Sequence, residues 1–504
     1  MRSYLTVILF VGFGMIQASS MPASAQSPVP AERVSQRYEI DVTLDAELGT
    51  IAGSLRLEWI NHTGKPQSSL PFRLYPNGAH YGDGSITTSD AKVEGRATTP
   101  DLHDDPTVLT VSLGADVHPG ESVSLTMSFE TVIPTDLNGG FGILQHLPQR
   151  DWWALADWYP VVAGWERSDG WYLDPPTSFG DPTFASSTAM YDVTVEHPAG
   201  YLLIGAGEEH VSRQNQAGQV TTTFSETRLR EFAMTALPAG EVTVRSFDVA
   251  GQPVTVTIPD AWVAPDLMSF MEERAKIALP LYAEWFGVHS EVELDITVAV
   301  LSGALGVSWD QVVWFDLASI AEDGTLGDAE RMGLEPVIYH ELGHQWLAAA
   351  IGANSNDHTF LTEGLVNTLV VAIVRETDGA RKARSVMGGF VAGPYRAFTN
   401  GNQDGIVDQP ISEDRSGVVH SFLVYGKAGV GFEAIRQEIG DTAFFQALMR
   451  LGSDHADGFF TPDHLLRLFE ETSGQELDEL WSFWFLEATT EVDDVDAVVA
   501  GSGR

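Results

Sequence analysis

His340 and His344 stand four residues apart in His340-Glu341-Leu342-Gly343-His344, and Glu363 follows after eighteen intervening residues. On a helix, residues at i and i+4 share a face, so both imidazoles can reach one metal ion. Glu341 lies a step round that helix, beside the ion, where a carboxylate can take a proton from a bound water. Zinc sites that do chemistry use three protein ligands and keep one position open. His340, His344 and Glu363 are therefore the predicted metal ligands, one Zn2+ per chain the predicted cofactor, and Glu341 the predicted general base. An exposed helix can carry two such histidines by accident. The second acid at this interval, with Val337, Ile338, Trp346 and Leu347 flanking the pair, argues instead for a rigid buried site.

Attack on an amide carbonyl builds negative charge on its oxygen, and a hydroxyl donor beside the metal would stabilise it. Tyr425, in Val424-Tyr425-Gly426-Lys427-Ala428 ahead of a helical run, is the candidate donor, although on its neighbours alone a packed tyrosine is the plainer reading. Asn367 lies four residues after Glu363 on the same helix face. It either orients a ligating imidazole by a hydrogen bond or is an ordinary surface asparagine. His358 would be a ligand only if Glu363 were not, and reads as a loop or substrate-side residue. Asn400, Asn402, Asp404, Gly405 and Asp408 echo a calcium loop, but Ile411 stands where a bidentate Glu is needed, which leaves turn chemistry.

The elements that must position these groups are legible in outline. Gln345 to Ala350 reads as a continuation of the metal helix, broken at Gly352 to Asp357, with a second helix opening near Thr362. Upstream, Tyr38, Ile40, Val42 and Leu44 alternate with polar residues, as do Leu55, Leu57 and Trp59, and Tyr191, Val193 and Val195. These runs predict a large antiparallel β domain. Its aromatic cluster (Trp152, Trp153, Trp158, Tyr159, Trp165, Trp171, Tyr172) suits core packing better than a substrate wall. From Pro265 the period becomes helical, with strands at 293–300 and 311–316 and helices again beyond 420. The predicted class is α+β: a signal peptide at 1–25, a linker at 26–33, the β domain at 34–244, a mainly helical catalytic domain at 245–490 and a frayed acidic tail at 491–504.

A chain of 504 residues with 44% hydrophobic content can bury more than one core. A net charge of −42 excludes a nucleic-acid partner, because phosphates would be repelled. Lys65, Lys92, Lys276, Lys382 and Lys427 are the whole lysine set, which implies a hydrated acidic surface. Arg2, the apolar run from Tyr4 to Ile16 and Ala23-Ser24-Ala25 read as an export signal, too short to span a bilayer. The expectation is a secreted or periplasmic protein with no stable membrane anchor after signal removal. The absence of cysteine excludes disulfides.

Together these residues resemble the aminopeptidase N-type gluzincin zinc metallopeptidases. The likeness rests on the two histidines, on Thr362-Glu363-Gly364-Leu365 at the eighteen-residue interval, and on Tyr425-Gly426-Lys427-Ala428, similar to that family's Tyr-x-Lys-Gly. Tyr38 to Trp59, Trp158-Tyr159-Pro160, Gly180-Asp181-Pro182 and Leu477 to Phe485 fit further landmarks, so the likeness runs from about 34 to 490. It implies a saddle-like β domain, a thermolysin-like catalytic domain, cleavage of peptide substrates from the amino end, and Tyr425 as the oxyanion donor. The chain departs from the family at Gly306-Val307-Ser308-Trp309-Asp310-Gln311, where a Gly-x-Met-Glu-Asn segment usually supplies a Glu for the substrate's free amine. Asp310 is the candidate substitute. The alternatives are an endopeptidase or other zinc hydrolase with an open cleft, or a binding protein on a peptidase scaffold that no longer catalyses.

Overall fold

The computed structural model describes residues 36–504 except 137–141, 167–169, 180–186, 213, 216, 261–265, 289, 291, 317–325, 412–415, 456–457 and 504. The predicted signal peptide, the linker and Gly180-Asp181-Pro182 lie outside the described residues. Period-two alternation does what it predicts. Tyr38, Ile40, Val42 and Leu44 of β1 (Gln36–Asp45) are buried, as are Leu55, Leu57 and Trp59 of β2 (Thr50–Ile60). These strands join β3 (Ser122–Val132), β4 (Ala189–Pro198) and β5 (Gln219–Leu229) in an eight-stranded sheet. One pairing departs from the expected antiparallel pattern: β1 runs parallel to β4, with Arg37 opposite Met190. A strand that returns after so long an excursion is free of the hairpin constraint and can take either direction.

Trp153, Trp158 and Tyr159 are fully buried in the β domain, where the Tyr159 hydroxyl meets that of Tyr191 at 3.0 Å. Packing is the use of these aromatics. Trp165 and Trp171 form a half-buried edge-to-face pair, 5.0 Å between rings.

A second, five-stranded sheet opens the C-terminal half. β6 (Val242–Val249) and β7 (Gln252–Pro259) form a hairpin, β8 (Leu294–Ala299) lies parallel to β7, and β9 (Gly306–Trp309) closes the edge against β10 (Val312–Asp316). The boundary expected between 244 and 245 falls inside β6, which belongs by pairing to this sheet. Helix α1 (Leu267–Phe286) buries one face and ends at Gly287, where φ of 65° suits a residue without Cβ. Helices α2 (Asp328–Gly343) and α3 (Phe360–Asp378) pack side by side, and Leu369 to Val374 of α3 are wholly buried. Helix α4 (Ala428–His455), kinked at Gly440, packs against α3 and α1.

Two expectations need correction. The segment after Glu491 is no frayed tail. Its Val492, Val495, Val498 and Val499 recur at helical spacing, α5 (Val492–Gly501) forms under a Glu491/Asp494 capping box, and Val495 and Val498 are buried. The metal helix, in turn, stops at Gly343 rather than continuing to Ala350. Beyond it the N–H groups of Ala349, Ala350 and Ile351 reach back five residues, to His344, Gln345 and Trp346 (3.1, 3.3 and 2.8 Å). Backbone pairing of Gly352 with Gly458 and Phe460, at 3.0 Å each, draws the chain off the helix axis. Among the described residues no helix is long and apolar enough to cross a membrane.

Candidate active site

Helix α2 delivers His340 and, at its C-terminal cap, His344; the first turn of α3 delivers Glu363. Their ligand atoms converge within 4.8 Å of one another. His340 Nε2 lies 3.0 Å from His344 Nε2 and 3.0 Å from Glu363 Oε2, and His344 Nε2 lies 3.4 Å from that oxygen.

The outward ring nitrogens decide what this cluster wants. His344 Nδ1 faces the Leu347 carbonyl at 3.0 Å, which can only accept, so this nitrogen carries the proton. Asn367 donates its amide nitrogen to the Tyr425 carbonyl (3.0 Å), which turns its Oδ1 to His340 Nδ1 at 2.9 Å. That nitrogen donates as well. With both Nδ1 atoms so engaged, the two Nε2 atoms are left aimed, together with a carboxylate oxygen, at one point. Such a cluster needs positive charge at its centre, a proton or a metal cation, and two imidazoles plus a carboxylate fit zinc. Burial opposes charge on His344, yet Glu363 outweighs it and lifts the imidazole to about 9. Glu363 is likewise held well below the carboxylate range, its burial overcome by the two imidazoles.

Glu341 is buried beside this triad and is not part of it. Burial pushes its carboxyl up, partly countered by the two histidines. It packs against the backbone of β9, where a Cβ on Gly306 would fall 2.5 Å from Glu341 Cγ and 2.8 Å from Oε1. Gln345 ties β9 to the end of α2, donating to Ser308 Oγ and the Trp309 carbonyl, both at 2.8 Å.

Tyr425 sits in a wide helical turn, Phe422–Lys427, ahead of α4, its ring 6.1 Å from that of His340. The buried Lys427 anchors this turn. Its ammonium donates to both carboxylate oxygens of Asp404 (3.0 and 2.9 Å) and to the carbonyls of Gly405 and Glu487 (2.9 and 2.7 Å). The residues that echo a calcium loop thus serve as counter-ions: Asp404 for Lys427, and Asp408 for His358, 2.6 Å from its Nδ1. His358 is engaged there, outside the metal cluster.

A cavity of about 770 Å³ opens over the triad, lined by Glu341, Tyr425 and Ser308 and also by Asp157, Glu231 and Asp310. Asp310 reaches the cavity, but its Oδ2 accepts the Arg230 backbone N–H at 2.9 Å. Burial raises it to about 6, against the pull of Arg230. It holds the Arg230-Glu231 backbone. Asp157 and Glu231 went unnoticed in the sequence. Both lie in loops of the β domain, where no spacing rule links an acid to a metal motif more than a hundred residues away.

Residues 278–484 match the model of the peptidase family M1 domain. Over that span, less than half of the chain, it resembles an M1 peptidase domain. Aminopeptidase N of Lactococcus lactis subsp. lactis is 22% identical over 229 residues, 44% of this chain and 26% of that protein, so the match spans about a quarter of the curated relative. An M1 zinc metallopeptidase from Deinococcus radiodurans superposes with a TM-score of 0.64 at 17% identity, covering 91% of this chain and 94% of that one. A mutant of the same protein bound to a Tyr-Ser-Ala substrate gives 0.63 at 17% identity, over 91% and 95% of the two chains. Legionella pneumophila aminopeptidase A, in complex with aspartic acid, gives 0.68 at 14% identity, over 90% of this chain and 50% of that one. The two-domain architecture, a β domain followed by a helical M1 domain, is therefore shared. The resemblance read from His340, His344 and Glu363 agrees with these matches, and the three residues form one cluster able to hold a metal ion.

Proposed function

We propose that this chain is an exported zinc-dependent aminopeptidase, secreted or periplasmic, that hydrolyses peptide substrates. The single observation that carries the reading is the convergence of three ligand atoms, His340 Nε2, His344 Nε2 and a Glu363 oxygen, beside the buried Glu341 carboxyl. Zinc bound by these residues would supply Lewis acidity, polarising a water molecule and the scissile carbonyl. Glu341 takes the proton of the attacking water and delivers it to the leaving amine, a role suited to a carboxyl whose pKa burial has raised. Tyr425, across the cavity, donates its hydroxyl to the carbonyl oxygen as charge grows there. Asn367 fixes the ring of His340 through its 2.9 Å hydrogen bond.

A free α-amine needs an anionic partner, and Asp310, Glu231 and Asp157 line the same cavity as the triad. Asp310 commits Oδ2 to the Arg230 backbone N–H and so braces the segment that carries Glu231, which leaves Glu231 and Asp157 to share the task with it. The size of the cavity, about 770 Å³, favours a second reading, an endopeptidase admitting longer chains. One experiment separates them. A panel of fluorogenic aminoacyl substrates is run beside N-acetylated counterparts, with and without a chelator. Cleavage confined to free amino ends and abolished by the chelator is expected. Equal cleavage of both sets would overturn the amino-end assignment, and chelator-resistant cleavage would overturn the metal mechanism.

A further inference from the structure

Directly after His344 the chain reads Gln345-Trp346-Leu347-Ala348-Ala349-Ala350, rich in good helix formers. Left to propensity it would extend α2. In that helix the Leu347 carbonyl would point along the axis and accept the N–H of Ile351. Instead this carbonyl accepts from His344 Nδ1 at 3.0 Å, while the N–H of Ile351 goes to Trp346. The departure is concentrated at Ala348, whose φ of 114° lies where side chains with a Cβ meet steric resistance. Something must hold the turn against both local preference and strain.

The structure supplies that restraint from the other domain. Arg230, at the end of β5, is 8% exposed. Its Nε donates to the Ala349 carbonyl (2.8 Å) and its Nη2 to the Gly458 carbonyl (2.9 Å). The guanidinium lies over the Phe459 ring, 5.2 Å from its centroid, and flat against Gly352, where a Cβ would come within 2.6 Å of Cζ. The Ala349 peptide is thus pinned on both sides, its N–H to the His344 carbonyl at 3.1 Å and its carbonyl to Arg230.

We propose that Arg230 is a positioning residue for the metal site: it clamps the strained turn at Ala348 so that the Leu347 carbonyl fixes the ring of His344. The β domain thereby sets the geometry of a ligand on the catalytic domain without touching the metal. This rests on His344 being a zinc ligand, and the experiment separates the two claims.

The test measures zinc dissociation constants by chelator competition, and the visible spectrum after cobalt substitution, for the full chain and for Arg230→Met, Ala348→Gly and the double variant. Loss of a ligand's orienting partner typically weakens metal binding about 10- to 100-fold, and Arg230→Met is expected in that range, with an altered cobalt spectrum. Glycine adopts the left-handed conformation freely and disfavours the competing helix. Ala348→Gly in the Arg230→Met background is therefore expected to recover roughly tenfold. A purely structural loss of interdomain packing would not be recovered by that glycine. Arg230→Lys, which keeps the charge and one donor, provides the readout if the methionine variant does not fold, and should weaken zinc binding less. Zinc binding within about twofold of the parent in the folded Arg230 variant, or no recovery with Ala348→Gly, overturns the proposal. A parent chain that binds no zinc overturns the metal reading itself.

Discussion

Adding one methyl group at Gly306 tests whether Glu341 works from the place assigned to it. An alanine Cβ there would lie 2.5 Å from Glu341 Cγ, 2.7 Å from Cδ and 2.8 Å from Oε1. Carbon atoms in contact sit about 3.5 Å apart, so the carboxylate must retreat by roughly 1 Å. The backbone of Gly306 does not have positive φ, so alanine costs little in conformation and the strain falls on Glu341. Glu341 is 5% exposed and lines the cavity over the triad, so any re-seating swings its carboxylate out of place and into the space that substrate would fill. A displacement of about 1 Å from productive geometry costs about 100-fold in rate, or about 2.7 kcal/mol of barrier. The expected outcome for Gly306→Ala is kcat down about 100-fold with zinc stoichiometry unchanged, because none of the three ligands is touched. Steady-state kinetics on an aminoacyl substrate, with metal analysis of the same preparation, decides it. Turnover within about threefold of the parent at full zinc content would refute the placement of the base.

Two further outcomes follow from the same geometry. Glu341→Gln should retain stoichiometric zinc and lose at least about 100-fold in kcat, since general base catalysis is removed and no ligand is; retained turnover would exclude Glu341 as the base. Lys427→Met strands the Asp404 carboxylate, 10% exposed at its side chain, without its counter-charge and should destabilise the fold by about 3–5 kcal/mol in urea unfolding. Asp404→Asn in that background should restore part of the loss, and an unchanged unfolding midpoint would argue against the anchoring role.

Sequence reading reached the parts of this molecule that periodicity and spacing encode. The i, i+4 histidines, the acid on the next helix and the alternating strands each follow from local geometry, and they lie where that geometry demands. What stayed hidden depends on contacts between distant segments. Gln345 to Ala350 looks helical because its residues favour helix, and only Arg230 and the pairing of Gly352 with residues near 458 override that preference. Asp404 looked like half of a calcium loop because its partner, Lys427, lies 23 residues on. Asp310 lines the cavity as its place after Trp309 suggests, but its second task, accepting the backbone N–H of Arg230, 80 residues earlier in the chain, has no sequence signal. α5 was misjudged for its acids, although its four valines share the inward spacing.

The parallel neighbour of β1 constrains the order in which this molecule can assemble. Tyr38 meets Tyr191 and Val42 meets Val195 in the centre of the eight-stranded sheet, so the first strand cannot be enclosed on both edges until residues beyond 190 are available. Contacts that distant form slowly, because a long loop must close before they yield any stabilisation. Until then the β1–β2 ribbon can be extended only on the β2 side, by β3, and β1 keeps an open edge, the kind of template on which other chains can nucleate. The charges alternating along that ribbon, Glu39 and Asp41 on one strand and Arg56 and Glu58 on the other, keep its outer face wet while it waits.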